Sequence, residues 1–141
     1  MSASPASSEH LGTVELRIPA RPEWVAVARL AVAAIANRLP FSVEEIEDLK
    51  LAIAEACTMC IQHATEHDAI DISYEAGGSY VRISCRDHRY AGTVMGKTTG
   101  ASGLQREGLG AFLVEALMDE FSSSFDPERG TELLMVKRVG S

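Results

Sequence analysis

The 141-residue chain is 46% hydrophobic and 23% charged, which predicts one globular domain with its own core rather than two domains or a disordered chain. No apolar run approaches the roughly 18 residues of a membrane span, and the first ten residues lack the basic and apolar regions of a secretory signal. The net charge of −7 argues against binding to nucleic acid through phosphate contacts, and three cysteines without a signal predict reduced thiols in the cytoplasm.

The N-terminal part of the chain predicts a tail, a strand and a helix. Residues 1–12 are rich in Ser, Ala and Pro and predict a flexible tail, so the domain is expected to span residues 13–141. Apolar and polar residues alternate over residues 13–19, the period of a strand with one buried face. Abundant alanine predicts a helix over residues 23–38. Its apolar residues recur at spacings of three and four: Val27, Leu30, Ala31, Ala34 and Ile35.

The centre of the chain predicts a long helix followed by a hairpin. Ser42 is a good N-cap, and Glu45 three residues later completes a capping box, so a helix is predicted over residues 43–63. Its expected buried stripe is Ile46, Leu49, Ile53, Cys57, Cys60 and Ile61. Alternating patterns over residues 70–74 and 80–85, separated by a Gly-Gly turn, predict a β-hairpin.

The C-terminal part predicts a loop, a helix and a strand. Residues 87–107 are rich in glycine and threonine and predict a long loop, the kind that is usually functional or disordered. A helix is expected to begin at Gly108, and a last strand covers residues 130–137. The helical stripe of that segment is Leu109, Phe112, Leu113, Ala116 and Leu117. The order β-α-α-β-β-loop-α-β predicts an α+β fold, a two-layer sandwich of a mainly antiparallel sheet with helices on one face.

Glu55 is the first candidate for chemistry. It is the only Asp, Glu, Lys or Arg between Lys50 and Glu66. A carboxylate on a mostly apolar helix costs free energy unless it has a partner or a wet cleft. The pattern therefore allows a solvent-facing glutamate at the rim of the helix, or a base that faces a site.

Two further patterns leave alternatives open. The glycine-rich residues 100–110 predict either a phosphate cradle, with Arg106 adding a charge-assisted contact, or a flexible lid. This segment is neither a P-loop nor a dinucleotide-binding motif. Cys57 and Cys60, followed by His63, resemble half of a zinc site, while buried thiols are the common alternative.

Three segments together resemble bacterial anti-sigma factors of the RsbW and SpoIIAB type, in the GHKL ATPase superfamily. Residues 48–64 resemble the N-box helix, residues 108–121 the second glycine box with its helix, and residues 130–138 the last strand. The resemblance implies a Bergerat-type, histidine kinase-like ATPase fold that holds ATP and Mg²⁺ under a lid, here about residues 92–107. It also implies a serine-protein kinase that phosphorylates an anti-anti-sigma protein of the STAS type and otherwise sequesters a sigma factor. Homodimers are implied as well.

The resemblance assigns roles residue by residue. Glu55 would be the general base, or the group that orients the attacking hydroxyl. Asp87 would accept a hydrogen bond from the adenine amino group, and backbone amides of the glycines would approach the phosphates. The residues that would contact ATP or ADP are Asp87, Arg106, Gly108, Gly110 and Thr131.

The chain departs from the family pattern at the metal ligand. Four residues after Glu55, the family places an asparagine that ligates Mg²⁺, and this chain has Met59. Mg²⁺ takes oxygen ligands, which a thioether does not supply. No shift of alignment supplies the asparagine, because Asn37 is the only one in the chain. The first glycine box also lacks its glycine, reading Asp-His-Arg from Asp87.

Three hypotheses follow from these departures. The favoured one is a partner-switching anti-sigma regulator that acts by binding, with its nucleotide site weakened by Met59 and without a metal ligand there. The alternative is an active ATP-dependent serine kinase in which Gln62 or Thr58 holds Mg²⁺. The minor alternative is a metal- or redox-responsive sensor built on the cysteines and His63. The acidity of the chain suits a basic DNA-binding protein as partner.

Overall fold

A computed structural model describes residues 10–62, 64, 68–88, 101–126 and 130–140. The strands are β1 (His10–Pro19), β2 (Ala69–Gly77), β3 (Tyr80–His88), β4 (Glu120–Asp126) and β5 (Gly130–Arg138). The helices are α1 (Val25–Ala36), α2 (Val43–Gln62) and α3 (Ala101–Leu117), with a 3-10 turn at Pro22–Trp24. Within the described residues, no helix has the length and apolarity needed to cross a membrane.

One antiparallel sheet carries the helices on a single face. The strand order is β1-β2-β3-β5-β4, so β1 and β4 form the two edges. Alternate residues of the strands point toward the helices and build the core with them. The largest fully buried side chains include Tyr74, Leu49, Ile53, Ile70, Ile72, Ile83, Leu133 and Met135. The predicted two-layer α+β architecture is confirmed.

The start of α2 is fixed by the predicted capping box, which is confirmed in both directions. The Glu45 amide donates to Ser42 Oγ at 3.0 Å, and the Ser42 amide donates to Glu45 Oε1 at 2.8 Å. The other carboxylate oxygen of Glu45 accepts from the Gly140 amide at 2.8 Å. The pKa of Glu45 is lowered, mainly because its carboxylate accepts the hydrogen bond from the Ser42 backbone amide. One carboxylate thus joins the helix start to the end of the chain.

The face of the sheet opposite the helices carries a ladder of ion pairs. Every pair of neighbouring strands is bridged there by one arginine and one carboxylate. Three of these pairs join residues directly opposite in the register, and the fourth is diagonal. The pairs are Arg17–Asp71, Arg82–Glu75, Arg86–Glu132 and Arg138–Glu120. We call this set the open-face ladder.

Several boundaries differ from the sequence predictions. The first strand begins at His10, so the predicted tail of residues 1–12 is too long. The predicted loop over residues 87–107 is wrong at both ends, because β3 continues to His88 and α3 begins at Ala101 rather than Gly108. Residues 89–100, which include much of the expected lid, lie outside the described residues. Strand β4 was not predicted.

The predicted apolar stripes of the first and last helices are also partly wrong. In α1 the buried residues are Ala28, Val32 and Ala36, whereas Leu30 is 70% exposed. In α3 the exposed residues include Leu109 and Phe112. Each of these helices is apolar around most of its circumference, so spacing alone does not determine which stripe faces the core.

Candidate functional site

Helices α2 and α3 meet closely at Gly110. A β-carbon placed on Gly110 would lie 3.4 Å from Met59 Cγ, 3.5 Å from Met59 Sδ and 3.7 Å from Glu55 Oε1. Both α2 side chains therefore face α3 at Gly110, at distances that leave room for a β-carbon. Sequence reasoning singled out all three residues, and the structure brings them together.

Glu55 lies beside this contact rather than in the core. Its side chain is half-buried, whereas Ile53 and Cys57 on either side are fully buried. At about 100° per residue, Glu55 is turned roughly 200° from each of them, which directs it away from the sheet. The carboxylate thus sits at the rim of α2 with one oxygen toward α3, where it can accept a hydrogen bond from a group in the cleft. Its role as a base stays a prediction.

Met59 decides how well the site fits a metal. Its side chain is only 5% exposed and packs against Gly110, so the position of the expected oxygen ligand holds a buried thioether. The hydroxyl of Thr58 donates to the Ala54 carbonyl of its own helix at 2.9 Å, and its role as an alternative oxygen ligand stays a prediction. Gln62 is exposed two turns after Glu55 and on the same side of α2. A carboxylate beside a thioether does not fit Mg²⁺, which prefers oxygen donors.

Asp87 occupies the end of β3, on the helix-facing side of the sheet. The residue is 4% exposed, and its Oδ2 accepts a hydrogen bond from the Thr131 amide at 3.3 Å. The contribution of Thr131 at this point is its backbone amide, supplied by the start of β5. A buried, anchored carboxylate has the right chemistry to accept a hydrogen bond from an adenine amino group, and this role also stays a prediction.

A thiol pair connects the helix of Glu55 to the strand of Asp87. Cys57 and Cys85 are both fully buried and hydrogen-bonded to each other. The hydrogen bond with Cys57, followed by burial, raises the pKa of Cys85 well above its ordinary value. A raised thiol pKa disfavours the reactive thiolate. These cysteines therefore act as core residues that hold α2 against β3.

Cys85 was missed at the sequence level. The available signal was the alternation of β3, which places Cys85 on the same side as Asp87. No group of three or more His, Cys, Asp or Glu side chains suited to a metal occurs among the described residues. His63 lies outside them, so the predicted sensor cluster is untested there.

The glycine box lies inside α3 rather than at its start. Gly108 and Gly110 follow the first turn of a helix that begins at Ala101, and amides beyond the first four residues bond to carbonyls of the preceding turn. In this conformation those amides are engaged within the helix. Their contact with phosphates stays a prediction, and the side chain of Arg106 lies outside the described part of the chain.

The chain is similar in sequence to known proteins. The family profile of the histidine kinase-like ATPase domain matches residues 18–137. A serine-protein kinase RsbW of Bacillus cereus is 33% identical over 93% of this chain and 88% of its own length. The RsbW of Oceanobacillus iheyensis is 34% identical over 89% of this chain and 86% of its own length. The chain is thus similar to these kinases over nearly all of its length.

Proposed function

Because the chain belongs to the histidine kinase-like ATPase domain family, we propose that it is an anti-sigma regulator of the partner-switching type that acts mainly by binding. Its partners are a sigma factor, an anti-anti-sigma protein of the STAS type, or both, and it works in the cytoplasm as a homodimer. Its similarity to RsbW kinases supports the family of partners. The buried Met59 against Gly110 carries the proposal that binding dominates.

Met59 matters because of how phosphoryl transfer is catalysed. Transfer depends on positioned charges, and the metal neutralises negative charge on the β- and γ-phosphates. A thioether at this position supplies no oxygen ligand to Mg²⁺. Weakening that ligand set lowers the transfer rate by orders of magnitude while leaving the fold intact. The protein then keeps a partner-binding scaffold with a weak nucleotide site.

A second candidate function is an active serine-protein kinase. It is favoured by the presence of Glu55 at the α2–α3 junction and of Asp87 anchored to Thr131. In this case Gln62, on the side of α2 that bears Glu55, would supply the oxygen donor that Met59 lacks. The two candidates differ in whether Mg²⁺ increases nucleotide affinity and phosphate transfer.

The test is a titration with a fluorescent ATP analogue, with and without Mg²⁺. We expect weak binding by the wild type that Mg²⁺ barely changes, and a gain of Mg²⁺-dependent binding in Met59→Asn. Met59→Leu is the matched control, because it keeps an apolar side chain of similar volume and adds no oxygen. Tight, Mg²⁺-dependent binding by the wild type together with phosphorylation of a STAS protein would establish the kinase instead.

Partner binding is measured separately. Each sigma factor and STAS protein of the source organism is tested for binding to the full chain by calorimetry, without nucleotide. We expect at least one to bind the wild type and Met59→Leu equally. Binding by none of them would refute the regulatory proposal.

A further inference from the structure

One face of α3 is apolar and exposed to solvent. Leu109 is 72% exposed, Phe112 is 70% exposed, and Ala116 is also exposed. Their spacing of three and four places them on one side of the helix, opposite the buried Gly110 and Val114. We call these three residues the α3 stripe. It runs over about 10 Å, two turns of a helix, which matches a short partner helix in length.

Acidic groups flank the α3 stripe. Glu115 is exposed on the same helix, and the exposed Asp119 follows the helix end. No lysine or arginine occurs from Leu109 to Asp119. An apolar stripe with acidic flanks complements a helix that has an apolar stripe and basic flanks.

The exposed stripe of α1 has the opposite surroundings. Leu30 and Val27 are exposed there, the exposed Arg29 lies on the same helix, and the exposed Arg38 follows the helix end. A basic partner is repelled at that surface and attracted at the α3 stripe. The exposed residues of α1 and the α3 stripe are both apolar, and the neighbouring charges are what distinguish them for a basic partner.

We propose that the α3 stripe is a docking surface for a basic amphipathic helix of a protein partner. The inference extends the proposed function, because it names where such a partner binds and by what chemistry. Because Gly110 lies on the opposite side of α3, a helix docked here lies across α3 from the α2–α3 junction that holds Glu55 and Met59. Partner binding is thereby placed on the outer side of α3 instead of at α1.

The test uses the full chain and a synthetic probe, so its result does not depend on the proposed function. The probe is a fluorescent amphipathic peptide of leucine and lysine, about 18 residues or five turns long. A second peptide with glutamate in place of lysine controls for charge. The variants are Phe112→Asp and, as a matched control of equal exposure on the other helix, Leu30→Asp. Thermal melts confirm that both variants fold.

We expect the basic peptide to bind the wild type and Leu30→Asp alike, to bind Phe112→Asp at least tenfold more weakly, and to bind Glu115→Lys more weakly as well. The acidic peptide should not bind. Equal losses in Phe112→Asp and Leu30→Asp, or no binding of the basic peptide, would overturn the inference. A photo-cross-linker at position 112 that reacts only within its own chain, and never with the basic peptide, would also overturn the inference. A wild type that binds the peptide but no sigma factor or STAS protein would refute the proposed function and leave the surface standing.

Discussion

Replacing Gly110 with alanine tests the packing of α2 against α3. The backbone of Gly110 is helical and has no positive φ, so alanine is not strained there. Alanine is favoured over glycine inside a helix by about 1 kcal/mol. The added methyl would meet Met59 and Glu55 at 3.4–3.7 Å, which is ordinary contact distance, and burial of one methyl contributes up to about 0.8 kcal/mol. We therefore expect Gly110→Ala to stabilise the protein by about 1–2 kcal/mol.

Urea denaturation and thermal melting measure this change, with an expected rise in Tm of about 3–6 °C for a chain of this length. Ala116→Gly, at an exposed position of the same helix, is the matched control and should cost about 1 kcal/mol. A loss of stability in Gly110→Ala would refute the reasoning, because it would mean that the helices approach more closely than described. If nucleotide phosphates use this gap, the same variant loses nucleotide affinity while gaining stability.

Four other substitutions test the framework of the fold by urea denaturation. Ser42→Ala should cost about 1 kcal/mol at neutral pH. Most of this cost should persist in acid, because the lost hydroxyl accepts from the Glu45 amide. The stability contributed by the Glu45 carboxylate itself is present above about pH 4.5 and is lost as pH falls through its lowered pKa, so the difference between the wild type and Glu45→Gln should shrink in acid; a constant difference there would contradict the carboxylate half of the capping box. Tyr74→Phe removes a buried hydroxyl that donates to an α1 carbonyl at 3.0 Å and should cost about 1 kcal/mol; an unchanged midpoint would contradict that bond. Lys137→Met removes an ammonium 2.9 Å from the last carbonyl of α3 and 3.7 Å from Asp48, and should cost about 1–3 kcal/mol; a gain would mean that desolvation outweighs these contacts.

Local patterns predicted those parts of the fold that depend on neighbouring residues. The capping box of Ser42 and Glu45 and the β2–β3 hairpin are short-range features, and both are present. Strand β4 was missed because three consecutive serines interrupt its apolar residues. Its two phenylalanines, Phe121 and Phe125, are four residues apart, a spacing that fits a strand but does not identify one. The edge strand is recognised only from its pairing with β5.

The candidate site was predictable only in part. Glu55, Met59 and Asp87 followed from the resemblance to a family. The contact of Gly110 with Met59 depends on how two helices far apart in sequence pack together, which no local pattern encodes. Helix α3 begins at Ala101 through good helix formers such as Leu104, Gln105 and Glu107, whose signal is hidden between Gly103 and Gly108.

The open-face ladder has a consequence for how the sheet reaches its register. Exposed ion pairs contribute little to stability individually, typically less than about 1 kcal/mol. A slip of one strand by one residue, however, would turn its charged side chains toward the helices and its apolar ones toward water. Each strand boundary carries such a pair, so a one-residue slip at any of them would bury an unpaired charge. The ladder therefore acts mainly by raising the free energy of misregistered sheets, and only slightly by stabilising the native one.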